Sequence, residues 1–344
     1  MSAPAFLFQP ADWNNCYRET TRLQYAKHIH YTTGMTVSNK YRGRFAPSPT
    51  GPLHFGSLVA AVGSYLDARH NQGEWLLRIE DLDPPRETPG AAAGILKTLE
   101  ALGMTWDGEV IYQSRRNDYY RTVLDTLQRQ GQLYGCACTR KEIADSAVRM
   151  ESGGIYPGTC RGGLPAGRSA RALRLRVDPA TIELVDRLQG RLQQRLETEV
   201  GDFVVRRADQ LVAYQLAVVV DDAEQDITHV VRGADLLDST PRQMYLQQLL
   251  DFPAPAYLHL PVAVNTSSEK LSKQTFAHGV VIDERNTALA DVLRFLHQPL
   301  PESPQDASRE ELWQWAIAHW DTNAVPAQRM LPAPEQYSGE ITQD

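Results

Sequence analysis

Cysteine is scarce in this chain: four in 344 residues, Cys16, Cys136, Cys138 and Cys160. So few thiols in so long a chain build no disulfide framework, which leaves metal binding or plain burial in a reducing compartment. Long apolar runs are missing too. No stretch approaches the roughly 18 residues of a membrane span, and the cytoplasm is the expected compartment. The segment 1–40 holds no basic stretch followed by an apolar one, so it is not a secretory signal, and it carries no clear helical or strand period. With Met35 just ahead of the first strand pattern, it reads as a dispensable extension or a start assigned too early, against an ordinary arm packed on the domain. Excess positive charge is also absent: 35 Lys and Arg against 42 Asp and Glu leave a net charge of −7, which argues against a nucleic-acid coat protein.

What is present is an ordinary globular composition, 42% hydrophobic and 22% charged, in a chain long enough for two or three lobes. The charge is unevenly spread. Residues 139–207 hold thirteen basic and nine acidic side chains, whereas 301–344 hold two basic and eight acidic. Because phosphate contacts supply much of RNA affinity, a docked RNA would lie along the middle of the chain and avoid the tail. A solvated, charge-mixed surface is the commoner fate of such a segment.

Residues 41–46 suit a short strand. Pro47, Pro49, Gly51 and Pro52 then forbid regular structure, and Gly56 opens a helical pattern with Leu58, Ala61, Val62, Tyr65 and Leu66 on one face. The first N–H groups of such a helix lack internal partners and favour an anion, with His54 beside it, while Gly56 would let a nucleotide meet bare backbone. On punctuation alone, a surface turn explains the stretch equally well. Residues 74–80 read as a buried strand, so strand, helix and strand make a right-handed crossover in a parallel sheet. Ligands of such sheets bind beyond the strand ends, where Glu80, Asp81 and Asp83 fall. Thr88 as cap and Pro89 as first residue start a helix that stops before Gly103, and another spans about 115–131. Farther on, 211–220 read as a strand ending at Asp221 and Asp222, and 227–231 as the next. Ser239, Thr240 and Pro241 open a helix over 242–250. Leu289, Val292, Leu293 and Leu296 form a helical stripe, and Ser308 with Glu311 a capping box.

The stretch RFAPSPTGPLHFGS, residues 44–57, closely resembles the signature of the glutamate-specific class I aminoacyl-tRNA synthetases, with His54, Phe55, Gly56 and Ser57 where that family runs H-x-G-H. Ser57 departs from the pattern: a hydroxyl donates a hydrogen bond to phosphate but supplies no imidazolium charge. KLSK, 270–273, resembles the family's K-M-S-K-S with Leu271 and Gln274 substituted, and VVVDD and VVRGADL, at 218–222 and 230–236, match the same synthetases. The resemblance implies an α/β fold with a Rossmann-like doubly wound parallel sheet. Residues 41–135 and 208–275 would form its halves around an insertion at 136–207, with a helical region and acidic tail at 276–344. It also implies ATP, carried with Mg2+, on Pro47, His54, Gly56, Ser57 and Lys273, and a catalytic set of His54, Gly56, Ser57, Lys270 and Lys273, in which Lys273 would neutralise charge developing between the α-phosphate and the leaving pyrophosphate. Glutamate would be held by Arg44, Phe45, Ala46, Pro47, Ser48, Glu80, Tyr214 and Arg232, the arginines facing its two carboxylates and Glu80 its ammonium.

Cys136, Cys138 and Cys160 can give three thiolates to one metal ion, or lie buried as reduced thiols. The pattern C-x-C followed by Y-x-x-x-C is similar to that of one branch of these synthetases, which implies a single structural zinc with Tyr156 as fourth ligand and Glu142 as the fallback. Only 71 residues follow Lys273, where full-length members carry a large anticodon-binding region. The likeness is therefore to a truncated branch. It implies activation of L-glutamate with ATP without tRNA, then transfer to the queuosine base at the wobble position of tRNA(Asp), whose anticodon stem-loop would enter the pocket. A monomer with no membrane partner is expected. The alternatives are a compact enzyme charging the 3′ end of tRNA(Glu) and a non-catalytic RNA-binding paralogue.

Overall fold

The computed structural model describes residues 40–146, 155–271, 280, 283 and 286–338. The expected extension at 1–40 falls outside them apart from Lys40, as does Lys273. Strands β1 (Arg42–Phe45) and β2 (Glu74–Ile79) run parallel, with Arg44 opposite Leu76, and helix α1 (Phe55–His70) crosses between them. The stripe expected on α1 is buried at every position, against Phe45, Trp75 and Leu77 of the strands. Helix α2 (Ala91–Ala101) leads to β3 (Ile111–Tyr112), which lies parallel beside β2, and then to α3 (Asn117–Arg129). Gly103 follows α2 with φ at 75°, as expected. The start of α2 differs: it begins at Ala91 behind a left-handed Gly90, because the Thr88 hydroxyl is taken by the Thr50 carbonyl and does not cap.

The insertion begins with β4 (Leu133–Cys136) and α4 (Arg140–Ser146). Then come β5 (Ala172–Leu175), β6 (Thr181–Asp186), β7 (Gly190–Arg195), α5 (Leu196–Glu199) and β8 (Phe203–Arg206). Strands β4, β5 and β8 form an antiparallel sheet, while β6 and β7 form a hairpin. Along β6 burial alternates strictly, turning Ile182, Leu184 and Asp186 inward.

The expected strand at 211–220 is instead the helix α6 (Tyr214–Glu224). Its residues 216–222 are all buried, so the apolar run carries no period that separates strand from helix. Strand β9 (His229–Gly233) starts two residues later than expected and lies parallel to β10 (Ala256–Leu260) across helix α7 (Thr240–Leu250). Ser239 does not cap α7; its hydroxyl accepts from the Gln215 amide instead. The two parallel sheets abut where the Thr228 N–H donates to the Arg42 carbonyl. The strands then stand in the order β3-β2-β1-β9-β10, the 3-2-1-4-5 order of a doubly wound sheet. Strand β11 (Val262–Val264) continues the chain. Helices α8 (Thr287–Phe295) and α9 (Arg309–Ala318), the latter with the expected Ser308–Glu311 capping box, pack on α1. Strand β12 (Met330–Pro332) pairs parallel with β11.

One buried carboxylate ties four segments together. Asp67 on α1 accepts from Tyr41, from both terminal nitrogens of Arg187 at 2.6 and 3.0 Å, and from Trp320 at 3.1 Å. Burial raises its pKa, but these donors outweigh burial and hold it below the ordinary carboxylate value. Removing one partner of a buried pair strands the other, so Asp67→Ala is expected to destabilise the fold by about 3 kcal/mol in urea unfolding at pH 7. Because the pKa is depressed on folding, the loss relative to wild type shrinks as pH falls through the carboxylate range.

Candidate active site

A cavity of about 880 Å³ opens at the carboxyl ends of β1, β2 and β9. Arg44 and Phe45 reach it from β1, and Ala46, Pro47 and Ser48 from the loop that follows. That loop is pinned by its backbone: Glu80 N–H donates to the Pro47 carbonyl and Thr88 N–H to the Pro49 carbonyl. His54, Gly56 and Ser57 line the cavity at the start of α1. Glu80 lies just past β2, Tyr214 is the first residue of α6, Arg232 sits in β9, and Lys270 stands at the mouth. The sequence therefore converges here for every expected substrate-binding residue within the described set.

The wall beneath the cavity is a buried charge network. Asp222 takes Arg44 through Nε at 3.0 Å and Nη2 at 3.3 Å, and takes Arg78 at 2.7 Å. Asp221 takes Gln113, Arg116 and Tyr120 at 2.7 to 2.8 Å. Arg44 was expected to offer its charge to a substrate carboxylate. It lines the cavity, but two of its three nitrogens are engaged by Asp222, so most of its charge is already balanced. Glu80, its side chain 10% exposed, is pushed up to about 7 by burial, against the pull of Arg78 and Arg44 and with repulsion from Asp222 and Asp221.

Arg232 is the opposite case. It is 5% exposed and is held by neutral groups: His259 at 3.0 Å, Thr240 and Gln243 at 2.8 Å, and Tyr214 at 3.4 Å. Among the described residues no carboxylate lies in ion-pair range of it. A buried guanidinium with full charge facing a cavity is a site for an anion.

At the start of α1, His54 is the N-cap: its Nδ1 accepts from the Ser57 N–H, and its Nε2 lies 3.0 Å from the Ser57 hydroxyl. A Cβ on Gly56 would press to 3.3 Å on the His54 ring, so glycine keeps that imidazole in place as well as leaving the backbone bare. Lys270 pairs with Asp235 at 2.5 Å, the acid of the VVRGADL stretch.

The cysteines form a second centre. The sulfurs of Cys136, Cys138 and Cys160 lie within 4.8 Å of one another, with Cys138 and Cys160 3.6 Å apart. Two thiolates sharing a tetrahedral zinc at 2.3 Å stand about 3.8 Å apart, so the group fits such an ion. The Tyr156 hydroxyl lies 3.4 Å from Cys136 and 3.7 Å from Cys138. Burial opposes the Cys136 thiolate, but bonds from Tyr156 and Arg174 prevail and bring the thiol down to about 7. Glu142, the fallback ligand, is spent elsewhere: it caps Thr139 N–H and pairs with Arg168. The basic surplus of the insertion is also partly internal. Arg174 is buried against Cys136 and the Asp202 carbonyl, and Arg161 and Arg187 pair with Asp202 and Asp67. Arg140, Lys141 and Arg171 stay exposed.

Sequence reasoning left Arg78, Asp186, Asp222, Asp235 and His259 without roles. The available signal was a charge inside an apolar strand, as at Arg78 in WLLRI and His259 in YLHLPV, a placement that demands a buried partner.

Residues 40–296 match the model of the tRNA synthetases class I (E and Q), catalytic domain. The glutamyl-Q tRNA(Asp) synthetase of Dechloromonas aromatica (strain RCB) is 60% identical over 300 residues, 87% of this chain and 100% of that protein. The chain belongs to the glutamyl-Q tRNA(Asp) synthetase family. Another relative of that name, from Chromobacterium violaceum, is 58% identical over 83% of this chain and 96% of its own length. Among solved structures, the glutamate-tRNA synthetase of Elizabethkingia anophelis superposes with a TM-score of 0.70 at 26% identity, over 87% of this chain and 69% of that one. The expected class I α/β fold of the family is thereby borne out.

The raised Glu80 pKa makes a measurable demand. Its carboxyl sits near 4.5 when unfolded and about 7 when folded, so its stabilising protonation is complete below pH 4.5 and lost as pH rises through 7. Glu80→Gln should therefore be more stable than wild type at pH 8, by about 3 kcal/mol, with the gap closing toward pH 5. Urea unfolding at both pH values measures this, and parallel pH profiles would contradict it.

Proposed function

We propose that this chain activates L-glutamate with ATP, without tRNA, and transfers the glutamate to the queuosine base at the wobble position of tRNA(Asp). The observation that carries the glutamate half is Arg232, a buried guanidinium with no carboxylate partner among the described residues, in the same cavity as Glu80. Those two charges, with the partly balanced Arg44, suit a ligand with two carboxylates and one ammonium. Tyr214 and Ser48 complete the hydrogen bonds. The His54–Gly56–Ser57 turn lies at the N-terminus of α1, where a phosphate is favoured, and Mg2+ would accompany the nucleotide.

In the first step a glutamate carboxylate oxygen attacks the α-phosphorus, the bond to the bridging oxygen breaks, and pyrophosphate leaves. Lys270 is already in the cavity wall, held by Asp235; Lys273 is assigned to the same charge. In the second step a hydroxyl of the queuosine cyclopentene ring attacks the adenylate carbonyl and AMP leaves. The names of the relatives support the RNA assignment, and exposed Arg140, Lys141 and Arg171 offer phosphate contacts near the cysteine centre. At that centre we assign one structural zinc to Cys136, Cys138, Cys160 and Tyr156; the ion would fasten the insertion.

The deciding experiment incubates the protein with ATP, labelled glutamate and tRNA with or without queuosine, then digests the product with ribonuclease and locates the label on the anticodon fragment or the 3′-terminal adenosine. Label that requires queuosine and is not attached at the 3′ end supports the reading; label on the 3′ end of tRNA(Glu) moves it to a compact charging enzyme. Arg232→Ala should cut glutamate-dependent ATP–pyrophosphate exchange by a hundredfold or more, since stranding a substrate carboxylate costs about 3–5 kcal/mol. For the metal, the purified chain should carry about one zinc equivalent, which Cys138→Ser loses. Background metal in reduced wild type would remove the zinc assignment.

A further inference from the structure

Arg232 owes its orientation to a pair that no sequence motif marks. Its Nε donates to His259 Nε2 at 3.0 Å, and His259 Nδ1 lies 2.6 Å from Asp186 Oδ2. All three are buried: Arg232 is 5% exposed, Asp186 3% and His259 0%. An arginine can only donate, so His259 Nε2 must accept; the ring proton is then on Nδ1, where it is donated to Asp186. The imidazole is neutral, in one tautomer. Asp186 is itself immobilised, because its other oxygen accepts the N–H groups of Leu188, Gln189 and His259 at 3.0, 2.8 and 3.2 Å. Leu188 and Gln189 belong to the turn between β6 and β7, and that turn is fastened to β10 by the Arg187 N–H on the Tyr257 carbonyl and the Gln189 amide on the His259 carbonyl.

We infer that Asp186 and His259 are positioning residues for glutamate recognition: through a fixed imidazole tautomer they set the plane of the Arg232 guanidinium while leaving its positive charge unpaired. This rests on the glutamate-activation reading above. The arrangement has a physical reason. A carboxylate bonded directly to Arg232 would fix it equally well but would balance its charge, as Asp222 does for Arg44. Interposing a neutral ring keeps the anion one side chain away. Thr240 and Gln243 hold Nη2, and Nη1 is left toward Tyr214 and the cavity. Burial and the Arg232 charge both lower the His259 pKa, against the Asp186 bond, in keeping with a ring that stays neutral. The insertion thus supports the amino-acid pocket from behind, through Asp186 and His259, although no residue of β6 or β7 lines the cavity.

The test uses ATP–pyrophosphate exchange by the full-length chain, with the KM for glutamate and the KM for ATP measured separately. Asp186→Asn is nearly isosteric, but its amide NH2 facing Nδ1 favours the other tautomer, which turns an N–H on Arg232. It should raise the glutamate KM roughly tenfold to a hundredfold while the ATP KM stays within about twofold. His259→Gln places an amide oxygen where Nε2 accepts and should keep the glutamate KM within a few-fold of wild type. His259→Asn, which retains only the Nδ1-like donor, should resemble Asp186→Asn. Equal glutamate KM in wild type, Asp186→Asn and His259→Asn overturns the positioning role and leaves glutamate activation standing. Equal rises in both KM values, or no advantage of His259→Gln over His259→Asn, likewise overturn it in favour of a merely structural pair. Wild type without glutamate-dependent exchange overturns the activation reading and this inference together.

Discussion

The pair of aspartates at the buried end of α6 is the constraint around which the catalytic lobe is arranged. Asp221 and Asp222 lie against Arg44 of β1, Arg78 of β2 and Arg116 ahead of α3, so three segments on one side of the sheet are oriented by a single turn of helix. Burying that many charges costs more in lost hydration than their attraction returns unless each is bonded, and nearly every nitrogen and oxygen here is. Among the fully buried atoms of the network, Arg78 Nε makes no hydrogen bond and lies 3.9 Å from Asp221. What the network secures is geometry. Arg44 faces the cavity at a fixed angle, and Glu80 is left with only long-range support at 3.7 Å from Arg78. Burial pushes the Glu80 carboxyl up to about 7 in that position.

The front of this site could be read from the chain, and the back could not. Residues 44–57 announce a strand, a rigid loop and a helix through prolines, glycines and a 3.6-residue stripe, all local signals. Glu80 falls at a predictable strand end. Tyr214 reads as part of a strand with Asp222 just past its end because an apolar run buried on all sides has no period, and only the sheet's own topology decides that 214–224 coil into a helix. His259 in an apolar strand is indistinguishable by itself from a packed core histidine. Its partner Asp186 lies 73 positions away, inside an insertion whose charge suggested only an outer surface.

Counting charges along the insertion overstated what it presents to solvent. Arg174 stacks on the Tyr156 ring at 3.7 Å and bonds Cys136, so one of the arginines most easily credited to RNA belongs to the thiol centre. The same region shows why ligand sets resist derivation from spacing. Tyr156 and Glu142 are both near the cysteines in sequence, but Glu142 faces Arg168 and Tyr156 faces the sulfurs, a difference set by how the chain turns between β4 and β5.

The segment from Trp320 to Tyr337 closes the lobe three times over. Trp320 bonds Asp67, β12 supplies the partner of β11 just before the Lys270 loop, and Tyr337 stacks on Phe55 at the first turn of α1 with ring centroids 4.3 Å apart. These contacts join the two lysine- and histidine-bearing motifs to residues synthesised well after both. A nascent chain that has emerged only through Lys270 therefore has α1 without the aromatic ring that stacks on its first turn and its β11 strand with an open edge. On the ribosome, where residues appear at about 5–20 per second and in order, the pocket is completed several seconds after its own signature motifs have left the exit tunnel.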